Sequence, residues 1–354
     1  MNFYSLSEKH KIIFIENSVG NRGKCIKHTS GMCGDIYILD QGKNTFPRYV
    51  CAKIPKPSNK ESNEEIARRF IREMKLQLSF NHNTYVHWAF DFDEIAGVPV
   101  ASFRYWGNDL DKVIKENKAS HITKISLILY TCIGLKHCYN KGLVSHQDLK
   151  PANIFVRNLK NDFKDLPNLD IYNLALVGDF GLANAFLDYN LFDGSRPYMA
   201  PEQWNEEKLS SATDVFALGV ILYELLSSGY HPVGIKLTEF WPIAKSGNTK
   251  KWTKQKDWKK WIDLKCPINI IPEKIDKNIN SFIQQMLSIE PTERPDIDIV
   301  IIFLFKQIET ECKDSYNQIK FLIEHFEKDS STLELKDRKP YLQNKWEKFE
   351  LTFE

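Results

Sequence analysis

Side chains able to move protons or balance charge crowd into one short stretch, Ser145-His146-Gln147-Asp148-Leu149-Lys150-Pro151-Ala152-Asn153-Ile154-Phe155-Val156. Asp148 offers a carboxylate that can accept a proton, Lys150 a cation close by, and Asn153 an amide that both donates and accepts. A second stretch, Val177-Gly178-Asp179-Phe180-Gly181, adds an acid followed by a glycine. The third is Gly194-Ser195-Arg196-Pro197-Tyr198-Met199-Ala200-Pro201-Glu202. Earlier in the chain Lys53 closes Val50-Cys51-Ala52-Lys53, and Glu73 lies within a charged, periodic segment. Taken singly, each has a bland explanation. An isolated Asp148 is a solvated loop acid, and a lone Lys or Glu on an amphipathic helix is a solvated charge. The order and the separations, taken together, are what ask for chemistry.

The elements that must hold these groups belong to a chain of 354 residues with 48 Lys+Arg against 46 Asp+Glu, a formal charge of +2. At roughly 150 residues per domain, two domains are expected. A hydrophobic fraction of 42% with 12% aromatics is enough for a sizeable core, which excludes global disorder. The near-neutral balance argues against organisation around a polyanion, so nucleic acid is disfavoured as a partner. The seven cysteines are odd in number and scattered without a C-x-x-C pair, against a disulfide framework or a structural zinc. The opening MNFYSLSEKHKIIFIENS lacks the basic start and long apolar run of a signal peptide. The most apolar stretch, 297–305, is too short to span a bilayer, so no membrane partner is expected and a cytoplasmic location is.

Residues 24–39 and 48–54 read as strands, with a turn at 41–44 between them. The period then changes. Ile66, Phe70, Met74 and Leu78 recur every four residues, which predicts an amphipathic helix over 62–80 capped by Ser62 or Asn63. From about residue 120 the pattern is mainly helical, with helices over 121–140 and 212–227, the second apolar nearly all round and therefore central. A polar, turn-rich stretch at 157–173 and a segment at 241–265 with eight Lys and four Trp interrupt it. A strand-rich front before a helix-rich back is an α+β arrangement.

In this order and at these separations the three stretches resemble the protein-kinase family, specifically the eukaryotic-type (Hanks-type) Ser/Thr branch, over about residues 24 to 308. The resemblance implies an α+β, bilobal fold: a small β-rich N-lobe with hinge at 24–106 and a larger, mainly α-helical C-lobe at 107–308. A 1–23 extension precedes them and a helical tail, 309–354, follows. It implies ATP and Mg²⁺ as cofactors and a protein substrate. Asp148 would accept or orient the proton of the substrate hydroxyl, and Lys150 would reach the transferring phosphate. Asn153 and Asp179 would ligate Mg²⁺. Lys53 would contact the α- and β-phosphates, paired with Glu73 on the predicted helix. Of the family's three loop glycines, Gly31 and Gly34 are present and Thr29 replaces the first; Ile36 aligns with its valine. Asp109 would contact the ribose, with Phe103 as gatekeeper, or Ser102 if a one-residue gap is allowed. Cys51 would roof the adenine and Phe155 would lie below it. Asp214 should hold the catalytic-loop backbone through N–H bonds, and Glu202 and Arg294 match the family's buried ion pair.

Departures from the family pattern are equally informative. Gln147 stands where most regulated kinases carry Arg, which makes this a non-RD type. The stretch 182–194 (LANAFLDYNLFDG) holds no Ser or Thr, only Tyr189. The cation that gathers a loop phosphate and the usual phosphate acceptor are absent together, so activity is expected without activation-loop phosphorylation. Gln77 occupies a position where an aliphatic residue usually packs; it would loosen the helix or find a hydrogen-bond partner. Trp258, Trp261 and Ile262 share a helical face, so 241–265 is a helix docked on the large lobe or, alternatively, a docking site for an acidic partner or nucleic acid. The tail carries Ile319, Phe321, Leu322, His325 and Phe326, an amphipathic helix against the body. Two rivals stand beside the kinase expectation. A pseudokinase-like scaffold with weak activity is disfavoured by the intact Lys53, Glu73, Asp148, Asn153 and Asp179. A small-molecule kinase is disfavoured by the 194–202 motif.

Overall fold

Residues 49–55 run Tyr-Val-Cys-Ala-Lys-Ile-Pro, nearly continuous in apolar side chains, as expected for a strand covered on both faces. In the computed structural model they form the middle of a five-stranded sheet. The structure describes residues 3–17, 23–30, 34–57, 61–80, 83–237, 255–269, 275–329 and 346–350. These fall into two compact units, one drawn from 1–83, 87–107 and 325–354 and the other from 84–86 and 108–324.

The first unit opens with helix α1 (Glu8–Glu16), whose N-cap Ser7 accepts from the His10 N–H. The sheet follows: β1 (Lys24–Ser30), β2 (Gly34–Asp40), β3 (Tyr49–Pro55), then β4 (Ala89–Ile95) and β5 (Val98–Arg104), in the spatial order β1-β2-β3-β5-β4. All neighbouring strands are antiparallel. Side chains alternate between faces, so the register decides what meets what. Tyr37, Leu39, Ala52, Ile54, Val98 and Val100 pack on one face with Phe3 and Ile15 from the N-terminal segment. Residues ahead of the first strand therefore complete this core. The opposite face carries Ile38, Cys51, Ala101 and Phe103.

That second face is closed by helix α2 (Asn63–Ser79) through Phe70, Ile71 and Met74. Ser62 is its N-cap: the hydroxyl accepts from the Glu65 N–H while the Glu65 carboxylate accepts from the Ser62 N–H, a reciprocal box that fixes the helix start. Gln77 lies on the buried side, and its Nε2 donates to the His87 carbonyl at 2.7 Å. Of the two outcomes expected for this residue, the partner is found by Nε2 only, and Oε1 is buried without one among the described residues. Trp346 and Phe349, from a helical stretch at 346–350, join the same cluster, with Phe92 edge-on to Trp346 at 4.9 Å.

The second unit is mainly helical. It contains α3 (Leu110–Glu116), α4 (His121–Asn140), the hairpin strands β6 (Ile154–Asn158) and β7 (Asn173–Val177), α5 (Ala185–Tyr189), α6 (Pro201–Trp204) and α7 (Ser211–Leu226). Beyond these come α8 (Gln255–Asp263), α9 (Lys277–Met286), α10 (Ile297–Glu311) and α11 (Lys313–Asp329), whose residues from 325 on belong to the first unit. Every residue of α7 from Thr213 to Leu226 is buried, so the helix that is apolar all round is the central one. Helix α4 packs against α7, α10 and β7. Trp258 and Trp261 of α8 are buried edge-on to His231, at 4.8 and 4.9 Å. Trp241 and Trp252 lie outside the described residues. In α11 Ile319 and Leu322 are buried, whereas Phe321 is exposed. A β-sheet lobe carrying α2 and a larger helical lobe make up the α+β, bilobal arrangement that the sequence suggests.

Candidate active site

In the first unit, strand register brings the expected residues onto one face. Ile36 pairs with Lys53, Ile38 with Cys51, Cys51 with Phe103 and Lys53 with Ala101. Ile36, Cys51, Lys53 and Phe103 therefore share the face covered by α2. Ser102 pairs with Ala52 and turns to the other face. Lys53 Nζ lies 2.5 Å from Glu73 Oε1, and both side chains are 9% exposed. Helix α2 thus presents Glu73 to the sheet while its apolar neighbours pack beside it. Gly34 is demanded by packing, because a Cβ there would sit 2.7 Å from the Ile54 carbonyl oxygen. Gly31 lies outside the described residues. Burial pushes the Cys51 thiol up to about 12, so it packs as a small apolar group and not as a reactive thiolate.

In the second unit the stretch 145–153 is organised around one buried carboxylate. Asp214 sits in the apolar α7, where an unpaired charge would be expensive. Its Oδ2 accepts from the His146 N–H at 2.8 Å and the Tyr139 hydroxyl at 2.9 Å. Oδ1 accepts from the Gln147 N–H and the Ser145 hydroxyl, both at 3.1 Å. Burial pushes its carboxyl pKa up, opposed by these donors and by the nearby His146. Asn184 supports the same stretch, its Oδ1 accepting from Val144 N–H at 2.9 Å and Ser145 N–H at 3.2 Å.

So held, Asp148 is 7% exposed and gathers donors on both oxygens. Ser195 N–H donates to Oδ1 at 2.8 Å; Lys150 Nζ donates to Oδ2 at 2.7 Å and Asn153 Nδ2 at 3.3 Å. An ionised carboxylate has about four acceptor directions, and three are filled, leaving room for one more hydroxyl proton. Lys150 also donates to the Ser195 hydroxyl at 2.9 Å. Asn153 commits Nδ2 to the Asp148 carbonyl at 2.8 Å, so its oxygen is the atom it can offer outward. The arrangement can orient a hydroxyl and hold positive charge beside it.

Asp179 adopts φ 58°, a positive value that aspartate tolerates better than most non-glycine residues, and the groups on either side of it are fixed. On one side Gly178 N–H donates to the Asn153 carbonyl at 3.0 Å; His146 Nε2 donates to the Gly178 carbonyl at 3.1 Å. On the other, Phe180 is buried against the His146 ring at 5.0 Å. Asp109 forms a bridge with Phe155, and its Oδ1 caps α3 by accepting from the Lys112 N–H at 2.8 Å. Burial raises the Asp109 carboxyl above its usual value. Arg294 grips Glu202 at 2.7 and 2.8 Å, and its other N–H groups reach the carbonyls of Ser288, Ala212 and Ile289. All five guanidinium donors are then used.

Four contributors have no role in the sequence analysis: Tyr139 and Asn184, which support 144–146, Ser195, whose N–H donates to Asp148, and Gln203, whose Nε2 donates to the Gln147 carbonyl at 2.9 Å. The hydroxyl type after Gly194 is a signal for the Lys150 contact of Ser195, but its bond to Asp148 comes from the backbone and leaves no mark in the sequence. For Gln203 there was none.

A family model described as "Protein kinase domain" matches residues 30–302. The chain is 30% identical to calcium/calmodulin-dependent protein kinase type I of Schizosaccharomyces pombe over 191 residues, 52% of this chain and 53% of that protein. It is 24% identical to an Aurora kinase of Candida glabrata over 264 residues, 75% of this chain and 64% of that one. To the probable serine/threonine-protein kinase nek2 of Dictyostelium discoideum the identity is 23% over 296 residues, covering 79% and 60%. The chain spans between 53% and 64% of the length of these relatives.

Proposed function

Because the chain belongs to the protein kinase domain family, we propose that it transfers the γ-phosphate of ATP, with Mg²⁺, to Ser or Thr hydroxyls of protein substrates. The observation that carries this reading is Asp148, with donors from Ser195, Lys150 and Asn153 around it and an acceptor direction to spare. Asp148 orients the incoming hydroxyl and takes its proton, while Lys150 offsets charge on the transferring phosphate. Lys53, with Glu73, takes the α- and β-phosphates; Gly31, Gly34, Ile36, Cys51, Phe103, Asp109 and Phe155 serve the nucleotide, Asp109 at the ribose. That Phe103 shares the face of Cys51 and Lys53 supports it over Ser102 as gatekeeper.

Asn153 Oδ1 and the Asp179 carboxylate are hard oxygen donors. A pair of this kind fits Mg²⁺, which takes few protein ligands and completes its shell with phosphates and water. When bound with ATP, the ion supplies positive charge against the phosphates. As a non-RD type with Gln147 and no Ser or Thr at 182–194, the protein acts without activation-loop phosphorylation. A reducing, cytoplasmic setting belongs to the same proposal, supported by an odd cysteine count without paired spacing. Among the described residues no helix is long and apolar enough to cross a membrane. An acidic partner at 241–265 belongs to the same proposal; of that segment, Lys259 and Lys260 are exposed beside the packed Trp258 and Trp261.

The test is incubation with labelled ATP·Mg²⁺ and generic protein substrates, followed by phosphosite mapping, beside Asp148→Asn. Transfer to Ser or Thr that falls by about 10²–10⁴ in the variant is expected. Transfer unaffected by the substitution, or only to small-molecule hydroxyls, defeats the reading.

A further inference from the structure

Gln147 is 3% exposed and has φ 69°, a conformation that its surroundings must impose. Its backbone is fixed on both sides: the N–H donates to Asp214 Oδ1 at 3.1 Å, and the carbonyl accepts from Gln203 Nε2 at 2.9 Å. Gly194 lies against that carbonyl so closely that a Cβ would stand 2.8 Å from its oxygen. So anchored, the side chain points into the segment that leads to Ser195. Nε2 donates to the carbonyls of Leu191 at 2.5 Å and Asp193 at 3.2 Å, and Oε1 accepts from the Phe186 N–H at 3.2 Å. One planar amide therefore meets backbone groups at both ends of 186–193.

Within the segment the Phe186 ring lies 6.2 Å from that of Phe192, and the Leu187 and Leu191 N–H groups donate to the Asn184 and Ala185 carbonyls at 3.0 and 3.3 Å. Leu187, Tyr189 and Leu191 are exposed, at 57%, 55% and 37%. Helix α5 is five residues long, too short to be stable alone, and ends at Asn190 in a left-handed conformation. The Gln147 amide adds partners for three further backbone groups of this segment. The amide is suited to this in a way that a cationic side chain is not. Arginine has only donors, so it could serve the carbonyls of Leu191 and Asp193 but not the N–H of Phe186.

We infer that the side-chain amide of Gln147 is an uncharged latch that orders 186–193 through three backbone hydrogen bonds and so positions Ser195 beside Asp148 and Lys150 without a phosphate. The inference deepens the proposed kinase reading and rests on it for the consequence in catalysis. Gln147 is a positioning residue, acting through Ser195 on the carboxylate.

The test compares the full chain with Gln147→Met, which keeps length and shape but forms none of the bonds, and Gln147→Glu, which keeps only the acceptor. Amide hydrogen exchange across 185–195 and steady-state kinetics are read together. In Gln147→Met the amides of 186–193 should exchange about tenfold faster or more, with α4 and α7 unchanged, while kcat falls about tenfold and the KM for ATP stays within about twofold. Gln147→Glu should retain protection at Phe186 alone. Phosphatase treatment should alter neither readout in the wild-type protein. Unchanged exchange in Gln147→Met, loosening that spreads to α4 and α7, or loosening with wild-type kcat each overturns the latch. If the wild-type protein transfers no phosphate while the exchange pattern appears as described, the kinase reading falls and the ordering by Gln147 stands.

Discussion

Lys53 Nζ and Glu73 Oε1 meet at 2.5 Å across 20 residues of sequence, the lysine on a central strand and the carboxylate on the helix that covers it. Both side chains are 9% exposed, so neither charge has much water to fall back on. Removing one partner should be more harmful to stability than removing both. Lys53→Met is expected to destabilise the fold by about 3–5 kcal/mol in urea unfolding, and Lys53→Met/Glu73→Gln to recover a large part of that loss. Phosphoryl transfer should stay low in both. A double variant no more stable than the single one would show that the pair is not coupled.

Asp214→Asn tests the carboxylate beneath the catalytic loop. Its two oxygens accept four hydrogen bonds, two of them from the N–H groups of His146 and Gln147. An amide can point only one oxygen at them, and its NH₂ must then face a donor. The expected loss is about 1–3 kcal/mol for the unsatisfied buried group, with faster exchange of the His146 and Gln147 amides. Turnover should fall more steeply than stability, because Asp148 sits on this stretch. A variant with wild-type turnover would remove Asp214 from the positioning of the loop.

Much of this was legible beforehand because it depends on pattern. The fourfold spacing of Ile66, Phe70 and Met74 marked the buried face of α2, while its start was open between Ser62 and Asn63 until the bonds between Ser62 and Glu65 decided for Ser62. The apolar run of 212–227 announced a central helix, and with it a carboxylate that had to find donors. What stayed hidden depends on long-range packing. Nothing local in Phe3 or Ile15 says that they cover the outer face of the sheet, and the unbroken apolar character of β3 was the one available hint. Trp346 and Phe349 reach Phe70 and Phe92 from the far end of the chain, a contact no spacing rule contains. Gln147 was conspicuous as a missing arginine. What its amide does was invisible, because the groups it meets are backbone atoms, which every sequence possesses.

Glu224 gives a pH dependence of one sign. It is buried in α7 and accepts from the Tyr198 hydroxyl at 2.9 Å. Burial pushes its carboxyl up to about 8, with Asp111 acting in the same direction. Between the ordinary value of 4.5 and about 8 the unfolded chain releases a proton that the folded protein keeps, so stability falls as pH rises through that window. Glu224→Gln keeps an acceptor for Tyr198 without the charge. Its stability relative to wild type should therefore grow between pH 5 and 8, by up to about 1.4 kcal/mol per pH unit, and level off above. Parallel stability profiles for the two proteins would contradict the burial argument.

His231 gives the opposite sign. Its Nε2 donates to the Pro197 carbonyl at 2.9 Å and its Nδ1 accepts from the Val233 N–H at 3.1 Å, so the neutral ring is fully used. The edge-on rings of Trp258 and Trp261 complete its surroundings. Burial drives its pKa from 6.5 down to about 3, partly opposed by the bond to Pro197. The unfolded chain takes up a proton below 6.5 that the folded ring refuses until about 3. The stabilisation is thus complete above pH 6.5 and is lost as pH falls, at a limiting slope of about 1.4 kcal/mol per pH unit. His231→Asn should lower stability at pH 7 and flatten this acid limb, as read from urea midpoints between pH 7 and 5. A variant that loses stability yet keeps the wild-type slope would assign the limb to other groups. Because Pro197 follows Ser195 by two residues, the same variant should also loosen amide protection around 195–199, whereas Glu224→Gln should not.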